Sequence, residues 1–433
     1  MKDSKKSQML RLIGIGILLI HYFNSTVKIM IILNEGQQKV SDAAVDWYWN
    51  SSDTLFQFDG KAGTGKSVVL NDIVSRLMLK PENVLPMAYT GQAAIVMRTK
   101  GMMGACTCHS GLFEPVEEPL IDKVTGKVVM DEQFNVPITT MRFIPKSFFN
   151  TKIKLMIIDE AWTVPKSFRK VIENTGIKTI VAGDSGQLPP VADEPAYLVD
   201  GKIYHLDQLM RQNSDSPLIY LANRAREGKP IETGQYGYTT VIYDDEVNDM
   251  MLSFANIVLC GKNKTRDYVN KYSRHNIYGF DTDYPMYGER LICRKNNWKK
   301  DVDGISLANG LVGTVSRPPS IDSYNDKLLV LDFKPDLLNN SFIDLKINYD
   351  YLNAPYGPLK DQIKNSKFAK GEMMEYAYAS TVHLSQGSEY RFGVYFEEFL
   401  SPTIQSNLNY TAITRFKSSM VYVKRRPRYG YFK

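Results

Sequence analysis

The chain is 433 residues long, with 43% hydrophobic residues, 23% charged residues and a net charge of +6. That length is about three domains' worth at ~150 residues each, and the composition excludes a disordered or fibrous chain. Residues 424–433 carry +5 and residues 2–11 carry +3, which leaves −2 for the body, so a polyanion would need an organised groove to hold it.

In chain order, the first feature is an unbroken apolar run of nine, Leu12 to Ile20, behind Lys2, Lys5, Lys6 and Arg11. It has the charge pattern of a signal peptide, yet no small-x-small cleavage site follows His21, and a bilayer span needs about 20 residues. The reading adopted is an N-terminal extension over 1–32, of which residues 1–29 lie upstream of a start at Met30 and are expected to be dispensable for folding and activity. A membrane role is not expected. Four cysteines, at 106, 108, 260 and 293, are too few for a disulfide framework. Cys106-x-Cys108-His109 lacks the second ligand cluster that a zinc site needs, so reduced thiols and a cytoplasmic location are expected.

From residue 54 short apolar strands alternate with helical stretches, the pattern of an α/β fold built on parallel sheets. Leu55–Phe58, Val84–Ala88, Lys154–Ile158 and Thr179–Ala182 read as buried strands, with helices at 66–79 and 91–99. A second α/β set begins near Ile257–Cys260 and resumes at Tyr376–Thr381, Val394–Phe396 and Met420–Val423. Between them, about 284–372 is rich in Gly, Asn, Asp and Pro and reads as a small β-rich insertion.

Gly60-Lys61-Ala62-Gly63-Thr64-Gly65-Lys66-Ser67 lies between the first strand and the first of these helices. In that context the pattern means phosphate binding: backbone N–H groups wrap the phosphates, Lys66 reaches the β/γ-phosphates and Ser67 holds Mg²⁺. Leu155-Met-Ile-Ile-Asp159-Glu160 places two carboxylates at the end of a buried strand, where ligands of open α/β sheets bind. Asp159 suits Mg²⁺, and Glu160 suits activation of the attacking water. A third strand runs into Gly183-Asp184-Ser185-Gly186-Gln187-Leu188-Pro189-Pro190, where Gln187 can orient that water or sense the γ-phosphate.

These residues, in this order, resemble superfamily 1 DNA helicases, most closely the RecD-like branch that includes the small phage Dda helicases. Leu33–Gln37 resembles the adenine-reading glutamine motif, with Gln37 on the base. Tyr89–Ala94 and Thr107–Ser110 are similar to motifs Ia and Ib, Leu209–Gln212 to motif IV, Ser380–Glu389 to motif V and Tyr410–Arg415 to motif VI. The chain departs from the family pattern at Tyr89, Cys108, Trp162, Leu384 and Phe416, and Leu384 removes a lysine that could touch phosphate.

The resemblance implies two RecA-like domains with ATP and Mg²⁺ in the cleft between them. The first spans 33–204, with a hairpin insertion at about 114–150. The second spans 205–283 and 373–424, interrupted by the β-rich insertion 284–372, and a basic tail covers 425–433. Arg211 and Arg415 would project from the second domain onto the γ-phosphate, and Gly387 and Glu389 would also face the nucleotide. Thr90, His109, Thr381 and His383 would hold single-stranded DNA by its phosphates, without reading sequence. The implied activity is ATP-driven 5′→3′ translocation and duplex unwinding by a monomer, in replication or recombination in a bacterial or phage-infected cell. A translocase or nucleoprotein-remodelling ATPase without unwinding, and RNA in place of DNA, stay open.

The last expectation is a strand-separating hairpin. Leu120–Val124 and Lys127–Met130 flank Thr125-Gly126, two short runs joined by a two-residue turn. The family carries a pin in this interval, and Phe134 is the candidate aromatic to stack on the base at the fork.

Overall fold

Strands Leu55–Gly60, Val84–Ala88, Leu155–Asp159 and Lys178–Gly183 are buried over most of their length. A parallel sheet covered on both faces requires continuous apolar runs, which is why these strands could be read from the chain. The structure, a computed structural model, describes residues 33–122, 124–130, 135–148, 151–191, 193–209, 216–366 and 368–426.

The first sheet runs in the order 106–107, 84–88, 155–159, 178–183, 55–60, 203–206, with every neighbouring pair parallel. Its last strand, Ile203–Leu206, pairs with Gln57–Gly60. The boundary expected after residue 204 therefore cuts a strand of the first domain. The second sheet runs 379–381, 258–260, 390–396, 416–424, 239–243, 234–236, parallel except for its antiparallel edge pair. Strand Thr239–Tyr243, absent from the expectation, thus belongs to this sheet.

The expected strand Tyr376–Thr381 is two strands. Met374–Tyr376 pairs with Arg290–Cys293 in the inserted domain, whereas Ala379–Thr381 pairs with Val258–Cys260 in the second sheet. No Gly or Pro interrupts 374–381. The break at Ala377-Tyr378 is imposed by two competing partner sheets rather than by a local signal. The inserted domain is an antiparallel five-stranded sheet in the order 342–348, 325–335, 312–322, 290–293, 374–376. A hairpin of Asn297–Val302 and Ile305–Leu307 carries it back to the first domain, where Ile305 and Leu307 share a core with Ala93 and Ala94 of helix Gly91–Thr99. Arg98 of that helix donates to the carbonyl of Gly304 at 3.0 Å.

Strands Phe113–Pro119 and Thr139–Pro145 form an antiparallel ribbon in unbroken register. Residues 120–122 and 124–130 fold at its far end. Val129 N–H donates to Leu120 O at 2.8 Å and Ile138 N–H to Val129 O at 2.8 Å, so the tip stacks on the ribbon. The turn is wider than the expected Thr125-Gly126 pair. It is closed by the Ile121–Val128 bridge, and the Asp122 carboxylate accepts from Val124 N–H at 2.9 Å and Thr125 N–H at 2.7 Å. Phe134 lies outside the described residues. The ribbon is held to the inserted hairpin by Phe143 against Trp298, 5.5 Å between centroids, and by the Lys299–Glu117 ion pair. Among the described residues no helix is long and apolar enough to cross a membrane.

Candidate nucleotide site and nucleic-acid face

The phosphate loop leaves strand Leu55–Gly60 and enters helix Lys66–Leu77 through Gly63 and Gly65, at φ +83° and +82°. That left-handed backbone favours glycine, and the helix it leads into opens with the amides of Lys66 and Ser67, which have no helical carbonyl one turn back. A side chain at Gly60 would sit 2.7 Å from Thr64 Oγ1 and 3.2 Å from Lys66 Cγ, so the lysine can fold over only a glycine. Lys66 Nζ donates to Gly60 O at 2.7 Å. Gln37 is buried, and its amide donates to Thr64 O at 2.8 Å while its carbonyl accepts from Asn34 N–H at 3.0 Å. It therefore also supports the phosphate loop and completes the capping box of helix Glu35–Asn50.

Asp159 ends its strand buried. Burial first, and then the neighbouring Glu160, push its carboxyl up to about 6, with Lys66 opposing. Glu160 has φ +52°, a left-handed conformation in a residue with a side chain, and its N–H donates to Asp159 Oδ1 at 2.9 Å. Two adjoining carboxylates, with Lys66 close enough to act on Asp159, offer the oxygen donors that would hold Mg²⁺.

Gln187 links this site to the second domain. Its amide nitrogen donates to Glu160 Oε2 at 3.2 Å, and its carbonyl accepts from Arg415 Nη2 at 3.4 Å. Arg415 is 4% exposed and otherwise donates to Thr411 O at 3.1 Å and Ser388 O at 3.3 Å. These bonds hold its guanidinium beside Gln187. Further contacts join the same faces. Leu188 N–H donates to Thr411 Oγ1 at 2.9 Å, and Gln386 Nε2 to Leu188 O at 2.7 Å. Tyr410 hydroxyl accepts from Ala62 N–H of the phosphate loop at 2.9 Å and donates to Asp184, which also pairs with Arg226 at 2.8 Å.

The sequence reading missed Tyr410, Asp184 and Arg226. The first two lie inside recognised motifs, but nothing local marks Arg226, which reads as a favourable charge in the last turn of helix Pro217–Arg226. Arg211 lies outside the described residues. The described contacts of Gly387 and Glu389, expected at the nucleotide, run to helix Gly91–Thr99, to Lys100 just past it and to Lys417. A side chain at Gly387 would sit 2.6 Å from Ala93 Cβ, and Glu389 is held by Lys100 at 2.6 Å and Lys417 at 2.5 Å.

Of the residues expected along the strand, Thr90 caps helix Gly91–Thr99 by accepting from Ala93 N–H at 3.2 Å. Thr381 is buried, which limits it as a phosphate ligand, and its hydroxyl accepts from Leu384 N–H at 3.4 Å. His109 is ringed by aromatics: Phe168 at 4.8 Å, Trp298 at 5.2 Å, Phe143 at 5.8 Å, Tyr89 at 5.9 Å and Phe113 at 6.1 Å between centroids. Burial lowers the pKa of both His109 and His383. Each therefore favours the neutral ring, which can bond a phosphate but brings no charge to it. Because the unfolded histidines titrate near 6.5 and the folded ones lower, the unfolded state binds more protons below that value. This contribution to stability is complete above about pH 6.5 and is lost as pH falls through the window below it. Urea unfolding at pH 7.5 and pH 5.5 should show His109→Phe losing less stability on acidification than the unsubstituted protein. An identical loss would place His109 in water.

Residues 32–242 match the family described as an AAA domain. Among curated proteins, the chain is 26% identical over 201 residues to the ATP-dependent DNA helicase RRM3 of Saccharomyces cerevisiae, covering 42% of this chain and 25% of that one. It is 28% identical over 236 residues to the ATP-dependent DNA helicase PIF1 of Candida albicans, covering 46% and 23%. These matches span about a quarter of the relatives' length. Among solved structures, a Pif1 helicase studied at forked duplex DNA aligns with TM-score 0.52 at 18% identity, over 90% of this chain and 92% of that one. Bacteroides Pif1 in complex with ADP-AlF3 and single-stranded DNA aligns with TM-score 0.51 at 18% identity, over 91% and 92%. Two RecA-like domains, one carrying a β-ribbon and the other a β-rich insertion, make this chain similar in fold to these two structures.

Proposed function

We propose that this protein is an ATP-dependent DNA helicase that translocates on single-stranded DNA as a monomer, 5′→3′ as in the RecD-like branch, and unwinds duplex ahead of it. The observation that carries the reading is the line Glu160–Gln187–Arg415, which joins the carboxylates of one RecA-like domain to a buried arginine of the other. Lys66 and the loop amides would bind the β/γ-phosphates, and Ser67 and Asp159 would hold Mg²⁺, which neutralises charge on the phosphate oxygens when bound. Glu160 would take the proton of the attacking water while Gln187 orients that water. Arg415, joined by Arg211, would stabilise charge on the transferring phosphoryl group. Closing and opening of the cleft would then move Thr90 relative to His383, one step per ATP. The half-buried aromatic group around His109 offers faces on which bases could stack without sequence preference. Replication or recombination in the cytoplasm of a bacterial or phage-infected cell remains the setting the resemblance suggests.

The test pairs a DNA-stimulated ATPase assay with unwinding of duplexes tailed at the 5′ or 3′ end. Stimulation together with unwinding of the 5′-tailed substrate is the expected result. ATPase without unwinding of either substrate would favour the simple translocase. Replacing 120–130 by a short Gly-Ser link should leave the stimulated ATPase near normal and sharply reduce unwinding, because among the described residues the backbone bonds of the tip run within itself and to Pro137 and Ile138 at the end of the ribbon. Equal loss of both activities, or of neither, would remove the ribbon tip and Phe134 from strand separation.

A further inference from the structure

Helix Gln405–Ile413 of the second domain grips the loop that carries Gln187. Asn407, Tyr410 and Thr411 are spaced i, i+3 and i+4, which puts them on one face of that helix. Asn407 Nδ2 donates to the carbonyls of Gly186 at 2.9 Å and Gln187 at 3.1 Å, and Thr411 Oγ1 accepts from Leu188 N–H at 2.9 Å. The first domain holds the same loop as well. Ser185 N–H and its hydroxyl donate to the Asp59 carboxylate at 3.0 Å and 2.6 Å, and Trp162 Nε1 donates to Gln187 O at 2.9 Å.

Tyr410 reaches past this loop to the phosphate loop. Burial, and then the adjoining Asp184 carboxylate, keep its phenol protonated. The one proton goes to Asp184, so a lone pair is left to accept from Ala62 N–H at 2.9 Å. Asp184 is fully buried. One of its oxygens takes the Tyr410 proton, and the other accepts from Gly186 N–H at 3.0 Å and Arg226 Nη1 at 2.8 Å. A side chain at Gly186 would sit 2.7 Å from Arg226 Cζ, so glycine there lets Arg226 lie against the loop. The same guanidinium stands over the Tyr410 ring, 5.3 Å from its centre. We propose that Tyr410 is a positioning residue for ATP hydrolysis. Oriented by Asp184, its hydroxyl fixes Ala62 of the phosphate loop against the Gln187 loop, so Gln187 is in place for the attacking water only while helix Gln405–Ile413 is packed on it. This rests on the ATPase part of the function proposed above, not on unwinding. The role of Tyr410 is indirect, through the placement of Gln187.

The test is steady-state ATPase kinetics of the full chain, with saturating single-stranded DNA and well below the Tm of every variant. Tyr410→Phe removes the hydroxyl and keeps the ring that packs in the core of the second domain. It should leave KM for ATP within about twofold and lower kcat about 10²-fold, the loss expected when a reacting group is misplaced by about 1 Å. Arg226→Ala, at a partly exposed position, should lower kcat by a smaller factor, and decides the matter should Tyr410→Phe fail to fold. Because both act through Asp184, the double variant should be slower than Tyr410→Phe by much less than the Arg226→Ala factor. A Tyr410→Phe protein with a lower Tm but unchanged kcat would overturn the proposal, reducing the tyrosine to a structural contact. So would a loss confined to KM, an unchanged kcat in Arg226→Ala, or single effects that multiply in full. Unwinding of tailed duplex is read separately. Its absence in the unsubstituted protein, with the kinetic losses as stated, would remove the helicase reading while the assignment of Tyr410 stands.

Discussion

Glu160→Gln should turn over ATP roughly 10²–10⁴-fold more slowly, the range by which a positioned general base accelerates proton transfer. The substitution keeps the side chain's size and its ability to meet Gln187, now at 3.2 Å, and leaves the left-handed backbone at 160 as it was. What it removes is the proton acceptor, together with the charge that raises the Asp159 pKa. Nucleotide affinity should therefore be retained or improved, and a DNA-bound, ATP-bound state should accumulate. Single-turnover hydrolysis with a nucleotide titration separates the two effects. Turnover at the unsubstituted rate would mean that another group activates the water. Lys66→Ala, by contrast, should lose phosphate binding itself.

Arg415→Ala is the second large effect. An arginine aimed at the transferring phosphoryl group is worth about 10³–10⁵-fold in kcat, whereas its contribution to ground-state binding is small, because the contact strengthens only as charge spreads over the phosphate oxygens. The loss should appear in kcat with KM for ATP little changed. Arg415 also holds the carbonyls of Thr411 and Ser388 in a buried position, so its removal should cost about 1–3 kcal/mol of stability, read by urea denaturation. Arg415→Lys separates these roles: it keeps a charge but not the planar fork, and should leave kcat low. Full activity in the lysine variant would reduce Arg415 to an interdomain strut.

The amino-acid sequence by itself determined the parts of this protein whose physics is local. The phosphate loop needs glycines at φ values that other residues resist, followed at once by a helix, so Gly60–Ser67 announces itself within eight positions. Strands such as Leu155–Asp159 announce themselves because a sheet covered on both faces tolerates only apolar residues until its catalytic end. Residues far apart in the chain were a different matter. Tyr410 meets Ala62, Arg226 meets Asp184, and Gln187 meets Arg415 only because the two domains bring particular loops and helix ends together. The same holds where one apolar stretch serves two sheets, as between Met374 and Thr381, and where His109, read from its motif as a phosphate ligand, is enclosed by aromatic side chains from four separate segments. In each case competition among distant partners, decided by packing and desolvation, overrode what the local residues prefer.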